Sequence, residues 1–296
     1  MEMVAATKMR KSQEIALASR PYAFAALDFL ATVSSLDPEQ LPRLFEKRNV
    51  KKVLFVLVSS DKGLAGAFNS SIFGKFELHM KEGPKGRPQD YAHEEKVYLA
   101  VGEKAFNYLT KKGLPVVKKF VAVGDYTTTE QVHPITDFII KGYLKGEWDR
   151  VVIVSTHFRS ALKQEPHVRR VLPIDFDHIA DTVKEIIPER GKFADLIKEH
   201  NINFVPNKAD SKDYLIEPSA KEVLAKLADH LFFIQFYHLI LEANAAEHSA
   251  RRMAMKTASD NASELGEELN LQYNKSRQSK ITTEIYEISA GAEALS

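Results

Sequence analysis

The sequence predicts an α/β fold: a central doubly wound α/β (Rossmann-like) domain, plus a long antiparallel two-helix coiled coil formed by the N- and C-terminal helices. Three observations carry this. Between about residues 50 and 218, short β-branched runs alternate with helical segments, the pattern of parallel strands joined by crossover helices. Residues 219–296 contain no proline, and at 1.5 Å per residue they make a helix roughly 110 Å long. Residues 1–36 repeat small side chains at four-three spacing, a seam that lets a second helix backbone come close. The chain therefore divides into 1–36, a first coiled-coil helix, 50–218, the central α/β domain, and 219–296, the long C-terminal coiled-coil helix.

The first seam runs through Ala5, Met9, Ser12, Ala16, Ser19, Ala23, Ala26, Leu30 and Val33, with Pro21 expected to kink or break it. "SSLDPEQLP" ends it. "KKVLFVLVSS" and "DRVVIVSTHF" read as buried strands. "EKVYLAVGEKAFNYL" reads as a strand leading into a helix, and "LPVVKKFVAVG" as a further strand. Helices are predicted over Asn69–Lys81, Glu103–Lys112, Thr128–Lys145 and Ile179–Ile187. "RRVLPI" and "DYLIEPS" are candidates for antiparallel addition to the sheet, and "KEGPKGRPQDYAHEE" and Asp177–Asp213 for polar surface insertions.

The last helix starts after Pro218, with Ser219 placed to cap it and Glu222 three residues on. Leu227, Leu231, Ile234, His238, Leu241 and Ala245 form a heptad stripe, and Phe232, Phe233, Phe236, Tyr237, Leu239 and Ile240 make nearly every face apolar there. A helix apolar all round is enclosed, here between the α/β domain and the first helix. A narrower seam follows at Ala258, Ala262, Leu265 and Leu269, then almost none across "QYNKSRQSK", then a stripe at Ile281, Ile285, Ile288, Ala292 and Leu295. Antiparallel pairing that sets Val33 near residue 220 sets Met1 near residue 250. The distal half then has no partner within this chain, which makes sense if another protein surrounds it.

Composition narrows the function. A net charge of +1 over 296 residues gives no global field for nucleic acid. Zero cysteines exclude disulfides, thiolate zinc sites and a cysteine nucleophile. No apolar run approaches the roughly 20 residues that span a bilayer, and the first residues lack a signal-peptide core, so the expectation is a cytosolic or peripheral protein without direct bilayer insertion. "VLVSSDKGLAGAFNSSI" is a strand, a glycine loop and a helix, yet it matches neither nucleotide fingerprint. Gly63 and Gly66 are better explained by the turn and by close helix packing. The ten histidines are scattered: His157 and His167 flank a basic loop, and His238 reads as a satisfied core residue. No catalytic, cofactor or metal residue is assigned. A polar band remains, through Arg251, Arg252, Lys256, Asp260, Asn261, Asn274, Lys275, Arg277, Gln278, Thr282 and Glu284. A solvated face and a partner contact explain it equally well.

The carboxyl end resembles the gamma subunit of the F-type ATP synthase. The family signature is Ile/Val-Thr-x-Glu, an acidic residue three on, then Gly-Ala. "ITTEIYEISAGAEA" matches it at Ile281, Thr282, Glu284, Glu287, Gly291 and Ala292. "MEMVAATKMRKSQ" and "VSSDKGLAGAFNSSI" agree as well, so the resemblance covers nearly the whole chain in one order. It implies a rotor shaft, with the coiled coil inside a hexamer of alternating alpha and beta subunits. The α/β domain would be a foot on the epsilon subunit and the membrane c ring, with nucleotide chemistry left to the beta subunits. It implies a non-catalytic, peripheral subunit at the cytoplasmic face of a bacterial inner membrane. Position by position, Met1, Arg251, Arg277, Gln278, Thr282 and Glu284 resemble the contacts to the alpha and beta subunits. Family members carry further residues ahead of "MEMVAA" that would pair with the distal half of the last helix, and Asp177–Asp213 is longer than common versions of the family, an addition expected on the foot. Two other classes compete. An α/β enzyme with an oligomerising coiled coil needs a phosphate fingerprint and an acid about 20 residues on; a free-standing scaffold predicts a homodimer.

Overall fold

In the computed structural model the described residues are 3–12, 14, 42–83, 93–124, 126–160, 162–174, 217 and 220–294. Helix α1 covers residues 3–12. It buries Ala5, Met9 and Ser12, the first three seam positions, while Met3 and Val4 face outward. The rest of that seam, Pro21, Met1, the Ile179–Ile187 helix, the "DYLIEPS" strand, the Asp177–Asp213 insertion and the Ser219 cap lie outside the described residues.

The central elements follow in chain order: β1 (Lys52–Val58), α2 (Phe68–Glu82), β2 (Glu95–Val101), α3 (Glu103–Lys111), β3 (Val116–Phe120), α4 (Thr129–Lys145), β4 (Arg150–Phe158) and β5 (Gln164–Leu172). The sheet order is β3-β2-β1-β4-β5. Its first four strands are parallel, with Val53 in register with both Lys96 and Arg150, and β5 adds antiparallel to β4. Alternation along β1 divides the two layers. Val53, Phe55 and Leu57 pack with α2 and α3; Leu54, Val56 and Val58 pack with α4 and the last helix. A strand covered on both faces needs apolar residues at every step, which is why β1 reads as one unbroken run.

Helix α4 opens with the Thr128 N–H donating to Gln131 Oε1 at 3.1 Å, and Gly146 closes it in the left-handed conformation. Trp148 then folds back over Gly142, where a Cβ would lie 2.0 Å from its ring, and donates from Nε1 to the Ile139 carbonyl at 3.0 Å. Strand β5 begins at Gln164, ahead of the "RRVLPI" segment that the sequence marked. Pro166 lies in the extra part; β5 is an edge strand, and only there does a missing N–H cost no ladder bond.

Helix α5 (Ala220–Ala294) is continuous over 75 residues. Its first third is a core helix: Ala228, Leu231, Phe232, Phe236, Leu239, Ile240 and Ala243 join one cluster with the sheet and α4. From Lys256 to Ala292 every residue is exposed. That stretch extends about 55 Å past the α/β domain.

Candidate partner-contact surface and the seat of the long helix

The tip of α5 carries an apolar stripe in the open. Ile281, Ile285 and Ile288 are 48%, 57% and 73% exposed. At 3.6 residues per turn, Ala292 completes the stripe, Arg277 and Glu284 flank it on one side, and Gln278 and Thr282 flank it on the other. Glu287 lies well away from it, and Gly291 to its edge. Thr282 Oγ1 donates to the Gln278 carbonyl at 2.8 Å, so its methyl group is what turns outward. Below the tip, Asn274 Nδ2 donates to Asn270 Oδ1 and Gln272 Nε2 to Glu268 Oε1, both at 3.1 Å. These i, i+4 pairs support a helix that has little seam of its own.

Arg251 stands apart from that group, about 39 Å down the axis from Arg277. Its guanidinium pairs with Glu247 Oε1 at 2.6 Å and reaches the Gly63 carbonyl at 3.5 Å. The structure therefore brings Arg277, Gln278, Thr282, Glu284 and Ile281 together and leaves Arg251 at the root of the shaft. The glycine loop closes on that root. Gly66 has φ +55°, and a Cβ there would sit 3.6 Å from Ala254 Cβ and 3.7 Å from the Ala250 carbonyl.

Sequence reasoning missed a buried polar cluster just below. Glu242 accepts from His157 Nδ1 at 2.8 Å and from His238 Nε2 at 3.1 Å, and all three are buried. Burial alone would raise the Glu242 carboxyl, but the electrostatic pull of His238, the hydrogen bonds from both imidazoles and the pull of His157 together outweigh it and hold it well below the usual carboxylate range. The i, i+4 spacing of His238 and Glu242 was the available signal; His157, far off in sequence, had none. Nearby, Asn244 Nδ2 donates to the Val123 carbonyl at 3.0 Å and to Thr127 Oγ1 at 2.6 Å. Among the described residues no group of three or more His, Cys, Asp or Glu is placed to hold a metal ion, and no helix is long and apolar enough to cross a membrane.

Known proteins share this architecture. A central-stalk chain of the Tetrahymena thermophila mitochondrial ATP synthase superposes with a TM-score of 0.57 at 20% identity, covering 88% of this chain and 97% of its own. A chain from the Euglena gracilis mitochondrial ATP synthase in rotational state 3 gives 0.52 at 17% identity, covering 99% and 94%. These likenesses establish the fold. In sequence, the ATP synthase gamma chain of Moorella thermoacetica is 36% identical over 296 residues, spanning all of this chain and 92% of the relative. Those of Bdellovibrio bacteriovorus and Roseiflexus castenholzii are 34% and 33% identical over the whole chain and 92% and 91% of their own lengths. A family described as ATP synthase matches residues 1–295. The match runs the length of the chain, and the chain belongs to the family of ATP synthase gamma chains.

Proposed function

We propose that this chain is the central rotor shaft of an F-type ATP synthase, turning inside a hexamer of alpha and beta subunits while its foot rides on the epsilon subunit and the membrane c ring. It couples ion flow through that ring to conformational cycling at the catalytic beta subunits and performs no chemistry itself. Segments 1–36 and 219–296 are then the two strands of the shaft, and 50–218 the foot. The complex lies at the cytoplasmic face of a bacterial inner membrane, with this chain peripheral to it. The observation that carries the proposal is the tip of α5, with every residue from Lys256 to Ala292 exposed and an apolar stripe that water alone would not reward.

A ring with near-threefold symmetry offers an asymmetric shaft three similar positions. Shaft angle then biases each nucleotide site by a coupling free energy, and only contacts that differ with angle contribute to it. Exposed polar pairs are worth about 0–1 kcal/mol each and exchange readily, whereas broad apolar adhesion would lock the shaft. Arg277, Gln278, Thr282 and Glu284 suit such exchange at the tip, with Arg251 as a contact lower down and Met1 a further one. Gln278→Leu in the complete complex is expected to keep assembly and lower proton-driven ATP synthesis by about two- to fivefold, the equivalent of roughly 1 kcal/mol or less. Synthesis at the unsubstituted rate, measured in reconstituted vesicles, counts against the assignment of that contact.

A further inference from the structure

In doubly wound folds, small ligands bind in the crevice at the carboxyl ends of the strands, where the strand order reverses. Here that switch point lies between β1 and β4, the neighbours from which the crossovers run in opposite directions. Helix α5 passes over it. Four separate parts of the carboxyl edge reach the helix with polar groups: the loop after β3, the end of β4, the start of β5 and the loop after β1. Tyr237 Oη donates to the Thr127 carbonyl at 3.1 Å, and Asn244 holds the same loop. Glu242 meets His157 of β4. Gln164 Nε2 donates to Ser249 Oγ at 3.3 Å, and Arg251 reaches Gly63.

The directions of these contacts matter more than their number. Residues two apart on an α-helix point about 160° away from each other. Glu242 and Asn244 are such a pair, held by β4 and by the loop after β3. Ser249 and Arg251 are another, held by β5 and by the glycine loop. The helix is therefore gripped on opposite sides at two levels, and turning it about its own axis breaks bonds on both. The loops that grip are themselves cross-tied: Asp61 accepts from the Glu103 N–H at 3.0 Å and from the Ala122 N–H at 2.9 Å, and Ser59 Oγ accepts from the Ala105 N–H at 2.7 Å. Apolar packing alone resists separation of helix and sheet but is non-directional; buried hydrogen bonds fix an angle.

We propose that the carboxyl edge of the sheet, the ligand crevice of this fold class, is here a torque socket, in which Asn244, Glu242 and Gln164 are positioning residues that fix the rotation of the shaft relative to the foot. This rests on the rotor-shaft reading. Weakening the socket lets the shaft slip under load, so coupling fails while the sites that hydrolyse ATP remain intact.

The test uses the complete synthase in vesicles, carrying this chain unsubstituted, with Gln164→Ala, or with Asn244→Ala plus Gln164→Ala. Assembly and ATP hydrolysis are expected within about twofold of the unsubstituted complex. Proton-driven ATP synthesis is expected to fall by at least about fivefold in the double variant and less in Gln164→Ala, the milder change on an edge strand. The rescue is specific. A Cβ on Gly66 would lie 3.6 Å from Ala254 Cβ, inside the roughly 3.5–4.5 Å of disulfides, and the chain has no cysteine of its own. Because any side chain at φ +55° carries strain, the same two cysteines in the otherwise unsubstituted chain are the control, and must leave synthesis unchanged when oxidised. Adding Gly66→Cys and Ala254→Cys to the double variant is expected to restore synthesis when oxidised and to lose it again on reduction. Normal synthesis by the double variant, or a formed disulfide that restores nothing, overturns the socket and leaves the rotor reading standing. Failure of the unsubstituted chain to assemble with alpha and beta subunits or to support synthesis overturns both.

Discussion

Glu242 is a charged side chain sealed under a helix, and its dependence on pH follows from its neighbours. Burial opposes its charge, and His238 and His157 more than restore it, so the folded carboxyl loses its proton more readily than an ordinary glutamate. In the unfolded chain it protonates near pH 4.3. As pH falls, the unfolded state therefore binds the proton first, and the stability contributed by Glu242, present in full above about pH 4.3, drains away below it. Glu242→Gln is expected to cost about 1.5–3 kcal/mol at pH 7, typical of hydrogen bonds to a charged group. Urea denaturation across pH should show the two proteins converging in acid; a gap that stays constant down to pH 3 contradicts the account. This residue also marks where sequence reading stops. His238 was legible as buried, because it falls on an apolar heptad stripe. Its function was not, because the residue that completes the cluster, His157, comes from a strand 85 positions from Glu242 in the chain, and nothing local encodes that meeting. Thr282 and Gln278 were legible only as members of a polar band; their pairing one turn apart comes from the structure.

At the level of elements, legibility followed how completely local pattern determines burial. Strand β1, covered on both sides, announces itself by an unbroken apolar run, and α5 by its length without proline. Strand β5 was placed several residues too late, because an edge strand tolerates proline and charge that a central strand does not. Helix α4 shows the same dependence on distant chain. Its Gly142 reads as a helix-weakening residue, yet the ring of Trp148 fills the space a side chain would take. Gly142→Ala should gain about 1 kcal/mol of helix propensity and lose more to overpacking, since a Cβ at 2.0 Å from that ring forces the indole out of its bond to Ile139. The net expectation is a destabilisation of about 1–3 kcal/mol. Adding Trp148→Ala to the variant should recover none of it, because the cavity left by the indole is costly in its own right, about 3–5 kcal/mol. A more stable Gly142→Ala protein, measured by thermal or urea unfolding, would show that the ring can move aside freely.

Taken whole, one helix serves three environments in succession: a layer of the core, a polar seat across the sheet edge, and an exposed shaft. Local stability should follow the same order, because an opening costs only what the opened segment buries. The tip buries almost nothing, so in the free chain it depends on helix propensity and i, i+4 pairs, and its backbone is open to a protease. Lys275, Arg277 and Lys280 are exposed trypsin sites on it, whereas strands β1 and β4 are sealed in the core. Brief trypsin treatment of the isolated chain is therefore expected to cut α5 near these residues while a fragment holding the sheet persists. Within the assembled complex the same bonds lie inside a sleeve of other subunits and should be cut at least about tenfold more slowly, because cleavage tracks the population of the accessible state. A site lower on the shaft, Arg252, supplies an internal control. It is already half-buried in the free chain, so assembly should change its cleavage far less than that of the tip. Equal cutting of the tip in the free chain and in the complex would mean that nothing surrounds it, and the exposed stripe at Ile281, Ile285 and Ile288 would need a different occupant.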